Sequence, residues 1–210
     1  MYPNPAFHLA DLPRLHQHLR DQALALLVSQ TASGPLVSHL PLWLDPAEGP
    51  YGTLYGHLAR SNPQAEALVE DGRVLAVFQG PQAYVSPSLY PGKAEHGRVV
   101  PTWNYQAVHA RGTVEVFDDP ERLLPLLERL TDQHEAGRPL PWRVADAPAD
   151  YLQGMLRAIR GLRLPLDSLA GIAKLSQNRN GADREGVRQG LAASTLPSDQ
   201  ALAALMTSPS

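Results

Sequence analysis

The segment Tyr55-Gly56-His57-Leu58-Ala59-Arg60-Ser61-Asn62-Pro63-Gln64 carries the residue types that an anion site needs, in the order a strand and a helix start would present them. Asn62 is a favoured N-cap and Pro63 a favoured first helical residue, so the spacing predicts a helix over Pro63–Val69. The opening turn of a helix has free N–H groups and the positive end of the dipole, and both favour phosphate. Arg60 adds a fork-shaped, permanently charged donor beside them. Period-2 alternation along the preceding strand places Thr53, Tyr55 and His57 on one face, leading toward Arg60. A plainer reading of the same residues is that Asn62 only caps the helix and Arg60 only forms an ion pair.

A second constellation lies in Val100-Pro101-Thr102-Trp103-Asn104-Tyr105-Gln106-Ala107-Val108-His109. In extended conformation it aligns Trp103, Tyr105, His109 and Arg111 on one face, with Val108, Val114 and Val116 on the opposite, core-facing one. Such an aromatic face suits stacking on a planar ring or closing a dimer interface.

Other chemistries lack their residues. The chain has no cysteine, which removes disulfides, thiolate metal sites and cysteine nucleophiles and points to a reducing compartment, the cytoplasm. There is no Gly-x-Ser-x-Gly elbow, P-loop or Gly-rich dinucleotide fingerprint. Among eight histidines, His16 and His18 sit two apart on a predicted helix and so diverge, while His39 and His57 lack a clear third ligand. No metal site is expected. The net charge of −3 gives no global positive field for nucleic acid. The exception is Met155–Arg188, where Arg157, Arg160, Arg163, Lys174, Arg179, Arg184 and Arg188 outnumber the acids.

These residues need elements to position them. Asp11 and Pro13 open a short amphipathic helix carrying Leu12, Leu15 and Leu19. Short β-rich runs follow at Ala23–Gln30, Leu36–Leu44, Gly52–Leu58, Arg73–Gln79, Gln82–Ser86 and Trp103–Phe117, separated by turn residues such as Ser33-Gly34 and Gly80-Pro81. So many closely spaced strands predict a small antiparallel barrel or sandwich with flanking helices. A longer helix begins at Asp119-Pro120, with Pro125 expected to bend or delay it. Tyr151–Ile159 reads as helix, Leu162–Leu166 as strand and Arg184–Leu191 as helix. The expected organisation is a domain over 1–150, an extension over 151–193 packed on or beside it, and a mobile Ala/Ser/Pro-rich tail over 194–210. No apolar run is long enough to span a membrane, and Met1–Pro5 lacks the features of a signal peptide, so the start is expected to be that of a mature protein.

Read together, several segments resemble the PaiB family, described as FMN-binding negative transcriptional regulators, whose fold is the flavin split barrel shared with pyridoxamine-phosphate oxidases. The matching blocks are Met1-Tyr2-Pro3 with Phe7, Ser38-His39-Leu40-Pro41, Gly56–Pro63, Gly80–Ser88, Val100–Tyr105 with Val108-His109, and Lys174-Leu175-Ser176-Gln177-Asn178-Arg179. Leu89 and Ala173 stand where the family pattern usually has tryptophan. The resemblance implies a mainly β, α+β split barrel, an FMN cofactor and a homodimer with flavin sites near the subunit interface. It further implies that Arg60, Ser61 and Asn62 hold the phosphate, that Ser38, His39 and His57 line the adjoining strand, and that Tyr84, Trp103 and Tyr105 bound the ring.

Two functions follow from it. One is a regulator that meets DNA through the basic C-terminal stretch or a partner protein, although no helix-turn-helix is evident. The other is a flavin-dependent oxidoreductase using a nicotinamide or another small reductant, in which the cofactor performs the electron chemistry.

Overall fold

The computed structural model describes residues 4–207, so the Met1-Tyr2-Pro3 block lies outside the described residues. In chain order the elements are β1 (His8–Leu9), α1 (Leu12–Asp21), β2 (Leu24–Thr31), β3 (Gly34–Pro41), β4 (Trp43–Asp45), β5 (Thr53–Ala59), α2 (Pro63–Glu70), β6 (Arg73–Val85), α3 (Gly92–His96), β7 (Thr102–Thr113), β8 (Glu115–Phe117), α4 (Pro120–Glu135), α5 (Ala149–Arg157), β9 (Ile159–Lys174), α6 (Gly181–Ala192) and α7 (Pro197–Leu205). The strands form one antiparallel sheet in the order β3-β2-β6-β7-β9-β5-β4, with β1 and β8 also on β9. This open path of short antiparallel strands with flanking helices agrees with the strand spacing and is the split-barrel architecture that the family resemblance implies.

The chain divides into two compact units. Among the described residues, one comprises Leu12–Phe78 and His109–Leu169; the other comprises residues 4–11, Gln79–Val108 and residues 170–207. Strands β6, β7 and β9 each contribute residues to both.

The first unit is built on the β2–β3 hairpin, whose register pairs Thr31 with Gly34 and Leu24 with Pro41. Gly34 takes the turn at φ +120°, a conformation open to glycine at no steric cost. Along β5, Leu54 and Leu58 are buried; across the strand pair Leu54 faces buried Leu164 of β9, and buried Leu162 faces Gly56. Helix α1 buries Leu15 and Leu19, and its two histidines end on separate carbonyls: His16 Nε2 donates to Tyr51 O at 2.9 Å and His18 Nε2 to Phe78 O at 3.0 Å. Both rings are accounted for as buried structural groups. On the Tyr55 face of the sheet, Phe117 packs with Leu123, Leu126, Leu130 and Leu156 of α4 and α5. That seam carries α4 as a continuous helix through Pro125, where the sequence predicts a bend or a delay.

Two further differences from the sequence reading have local causes. Gly80-Pro81 does not separate two strands: β6 runs unbroken for 13 residues. Proline tolerates extended φ and pushes its predecessor toward β, so the pair stays extended without a turn. The segment from Ser194, read as a mobile tail, contains α7, which buries Leu202 and Ala203 and is followed by buried Met206. Arg184 of α6 donates to Met206 O at 3.1 Å, fixing this end within the second unit. The 151–193 segment supplies β9, a 16-residue sheet strand that pairs with β5, β8 and β1.

Candidate functional site

The six predicted phosphate-side residues all fall in the first unit, around the turn from β5 into α2. That turn is closed by backbone bonds from Arg60 N to Ala158 O (2.8 Å) and from Asn62 N to Ala59 O (2.9 Å). Asn62 caps α2 as the sequence predicts. Its Oδ1 accepts from Gln64 N at 2.9 Å, and its Nδ2 donates to Ser38 Oγ on β3, also at 2.9 Å. Ala65 N is satisfied by Asn62 O at 2.9 Å. The helix start expected to offer open amides is therefore closed by its own cap, because an asparagine that reaches the second helical N–H occupies the place an anion would take. Gln64 is fully buried, its Nε2 donating to Leu27 O and Ser29 Oγ at 3.0 Å, which locks α2 onto the hairpin.

Arg60 is pinned yet open. Its Nε donates to Arg157 O at 2.9 Å and its Nη2 to Asp118 Oδ1 at 2.9 Å, while its side chain remains 41% exposed and that of Asp118 51%. An ion pair this solvated contributes about 0–1 kcal/mol and resists a competing anion weakly. Ser61, exposed at the apex, makes no hydrogen bond among the described residues. The donors the turn still offers are thus the open edge of Arg60 and the hydroxyl and amide of Ser61. Arg160 of β9 lies beside them, paired with Glu66 at 2.9 Å and reaching Asp118 at 3.6 Å.

His57, three residues before Arg60, keeps Nδ1 buried and without a partner, and burial holds its pKa below the ordinary histidine value. It is a neutral ring with an unused polar atom. His109 on β7 shows the same orphaned Nδ1 and the same downward shift, again mainly from burial. His39 is exposed and alternates with Ser38 along β3. The polar wall expected from Thr53 and Tyr55 turns elsewhere. Thr53 Oγ1 donates to Glu48 O at 3.1 Å and the Tyr55 hydroxyl to the Glu48 carboxylate. Tyr55 lines a cavity of about 280 Å³ with Trp43, Phe117, Arg122, Arg129 and Arg163. There Arg163 is bound to Glu48 and to Glu115, and the Tyr55 hydroxyl and Arg163 hold the Glu48 carboxyl below its usual range.

The three ring-side residues belong to the second unit. Tyr84 of β6 and Trp103 of β7 meet edge to face with centroids 6.1 Å apart, and they are 51% and 55% exposed. Tyr105 is half-buried on the same strand as Trp103. Sequence reasoning assigned no role to the neighbouring polar cluster. Fully buried Asn104 donates to Ser176 Oγ at 2.9 Å, and Lys174 Nζ to Thr102 Oγ1 at 2.6 Å. A signal was present: residues 168–182 contain Lys174 and Arg179 and no acid.

No described helix is long and apolar enough to cross a membrane. Four arginines of the basic stretch are bonded within the chain. Arg160 binds Glu66, Arg163 binds Glu48 and Glu115, Arg184 binds Met206 O, and Arg188 binds Glu185.

Comparison with known proteins agrees with this architecture. Residues 1–168 match the family model described as "Putative FMN-binding domain". The chain is 31% identical over 209 residues to the Bacillus subtilis "Protease synthase and sporulation protein PAI 2", covering 98% of this chain and 96% of that one. It is also 34% identical over 235 residues to an uncharacterized Aspergillus fumigatus protein, with 90% of each chain covered. Among solved structures, the FAD and heme binding protein from Mycobacterium smegmatis superposes with a TM-score of 0.60 at 19% identity, over 87% of this chain and 80% of that one. The closed cap, the open Arg60–Ser61 edge and the neutral buried His57 thus sit in a flavin split barrel, and the chain belongs to the FMN-binding domain family of which PaiB-type proteins are members.

Proposed function

We propose that this chain binds FMN with the cofactor's phosphate on Arg60 and Ser61, and that it works as a flavin-dependent redox protein. The observation that carries the reading is the Arg60–Ser61 edge: a permanently charged fork held in place by two backbone carbonyls, next to a hydroxyl and an amide with no protein partner. Ser38 and Asn62 bond each other beside this edge, Asn62 through the same side chain that caps α2. His57, kept neutral by burial, presents an uncharged polar edge on the strand leading to the turn. Bound FMN would supply the one- and two-electron chemistry, which fits a chain with no cysteine nucleophile. The exposed Tyr84–Trp103 pair offers planar apolar surface for a second copy of the chain in a homodimer.

The test is direct. Denatured protein should release FMN, identified by its absorbance and mass, and bound flavin should be bleached anaerobically by NADH or NADPH. Flavin that is absent and cannot be restored by added FMN sinks the cofactor reading; flavin that neither nicotinamide reduces sinks the redox reading.

A PaiB-type negative regulator is the second reading, supported by the near full-length similarity to the Bacillus subtilis protein. Its DNA contact would need a surface other than the arginines already bonded within the chain. A sequence preference that persists as salt is raised would support it.

A further inference from the structure

We propose that Lys174 and Arg179 form an anion site for the carboxylate or phosphate of a small molecule, separate from the Arg60–Ser61 turn. The Lys174 amine is partly buried at the end of β9, donates to Thr102 Oγ1 at 2.6 Å and lies 5.9 Å from the Phe7 ring centroid. An ammonium carries three donors, and one is used. Arg179 stacks on the Tyr90 ring at 4.9 Å. Among the described residues neither cation is paired with a carboxylate. The nearest acid that follows, Asp183, is buried and turned away, accepting from Gly92 N at 3.0 Å and Asn180 Nδ2 at 3.1 Å.

The turn between the two cations is rigid and strained. Ser176 is held at φ 61°, and it is the non-glycine residue with positive φ among those described. Such a conformation is unfavourable for a residue with a Cβ and persists only where the surroundings enforce it. Here Asn104 Nδ2 holds Ser176 Oγ, Gln177 bonds both Leu175 N and Ala173 O, and Arg179 N donates to Ser176 O at 3.0 Å. Two polar atoms beside the turn are buried without a partner: Asn104 Oδ1, on a fully buried residue, and the Tyr90 hydroxyl. Buried polar atoms are ordinarily bonded; the Tyr90 hydroxyl can donate to an anion, whereas Asn104 Oδ1 only accepts and suits the protonated oxygen of a phosphate. Burial and the nearby Arg179 charge also hold the Lys174 pKa below the ordinary lysine value, a penalty that a bound anion would relieve.

The experiment uses the full chain as purified, with whatever flavin it carries. Inorganic phosphate and, separately, acetate are titrated in while lysine side-chain NMR signals report the Lys174 pKa and calorimetry reports affinity. The expected result is saturable binding of at least one anion that raises the Lys174 pKa. Lys174→Gln and Arg179→Gln should each weaken it at least tenfold, Arg73→Gln should not, and flavin content should be equal in all. Stronger binding of phosphate or of acetate identifies which acid group the site takes. A Lys174 signal unmoved by either anion, or undiminished binding by Lys174→Gln, overturns the proposal. So does phosphate-driven loss of FMN, or loss of FMN in Lys174→Gln, because the site would then be the cofactor's own. Should the variants fail to fold, the wild-type lysine titration decides alone.

Discussion

Asn62 and Arg60 are two residues apart in the turn from β5 into α2, yet the structure gives them different tasks, and substitution should separate them. Asn62→Ala removes the cap bond to Gln64 N and the bond to Ser38 Oγ, both 2.9 Å. Loss of an N-cap costs about 1 kcal/mol, and loss of an ordinary side-chain hydrogen bond about another 1 kcal/mol. For a chain of this size each kcal/mol lowers Tm by roughly 2–4 °C, so Asn62→Ala should lower it by about 4–8 °C. Ser38→Ala should lower it by about half as much, and the double variant should be less destabilised than the sum, since the two share a bond. Arg60→Gln breaks a solvated ion pair and should move Tm by no more than about 4 °C. A charge-assisted contact to phosphate is worth about 1.5–3 kcal/mol, so Arg60→Gln should weaken FMN roughly ten- to hundredfold. Thermal melts of the flavin-free protein, paired with fluorescence titrations of FMN, measure both quantities. The reasoning fails if Asn62→Ala melts like wild type but loses FMN, or if Arg60→Gln binds FMN unchanged.

His57 and His109 have folded pKa values below their ordinary ones, so their contribution to stability is whole above the unfolded pKa, about 6.5, and is lost as pH falls below it toward the folded value. Wild-type Tm should therefore decline from pH 7 to pH 5, and His57→Gln should show a shallower decline. The Glu48 carboxyl is likewise depressed, chiefly by the Tyr55 hydroxyl and then Arg163, but as an acid it stabilises the fold above about pH 4.3 and loses that effect as pH falls through its folded pKa. Glu48→Gln should cost about 1 kcal/mol at pH 7, after allowance for solvent screening, and progressively less by urea unfolding as pH falls through the folded pKa. Gly112→Ala would set its new carbon 2.1 Å from Pro165 O, a clash with backbone that cannot swing aside. The expected loss is about 1–3 kcal/mol, read from the urea midpoint. Leu202→Ala, in the segment expected to be mobile, should cost about 2–5 kcal/mol because the side chain is fully buried; an unchanged midpoint would show α7 to be dispensable.

Much was legible in the one-dimensional chain because the governing forces are local. The Asn62-Pro63 pair marks a helix start by cap chemistry alone, and α2 begins at Pro63. Alternation along residues 102–113 gives the exposed Trp103 and buried Val108 and Ala110, since strand geometry places successive side chains on opposite faces. The short runs between turn residues give an antiparallel sheet, and the matching blocks give the family. Local signals misled where they are weak against packing. Gly80-Pro81 remained extended within β6, Pro125 was carried by the buried leucines of α4, and the small, polar tail found a hydrophobic seat through Leu202.

What the sequence could not determine is where each polar group ends. Arg60 meets Asp118, 58 residues away, and Tyr55 and Arg163 converge on Glu48. Such pairings depend on which strands become neighbours, which long-range burial of apolar faces decides. The amides of α2 are closed for a similar reason: an asparagine side chain can cap its own helix or leave it open, and here contact with Ser38 across from β3 holds the capping rotamer. Pattern therefore determined an antiparallel β fold with flanking helices and the family resemblance its split-barrel form, while only the tertiary arrangement decided which of the candidate donors remain open to a ligand.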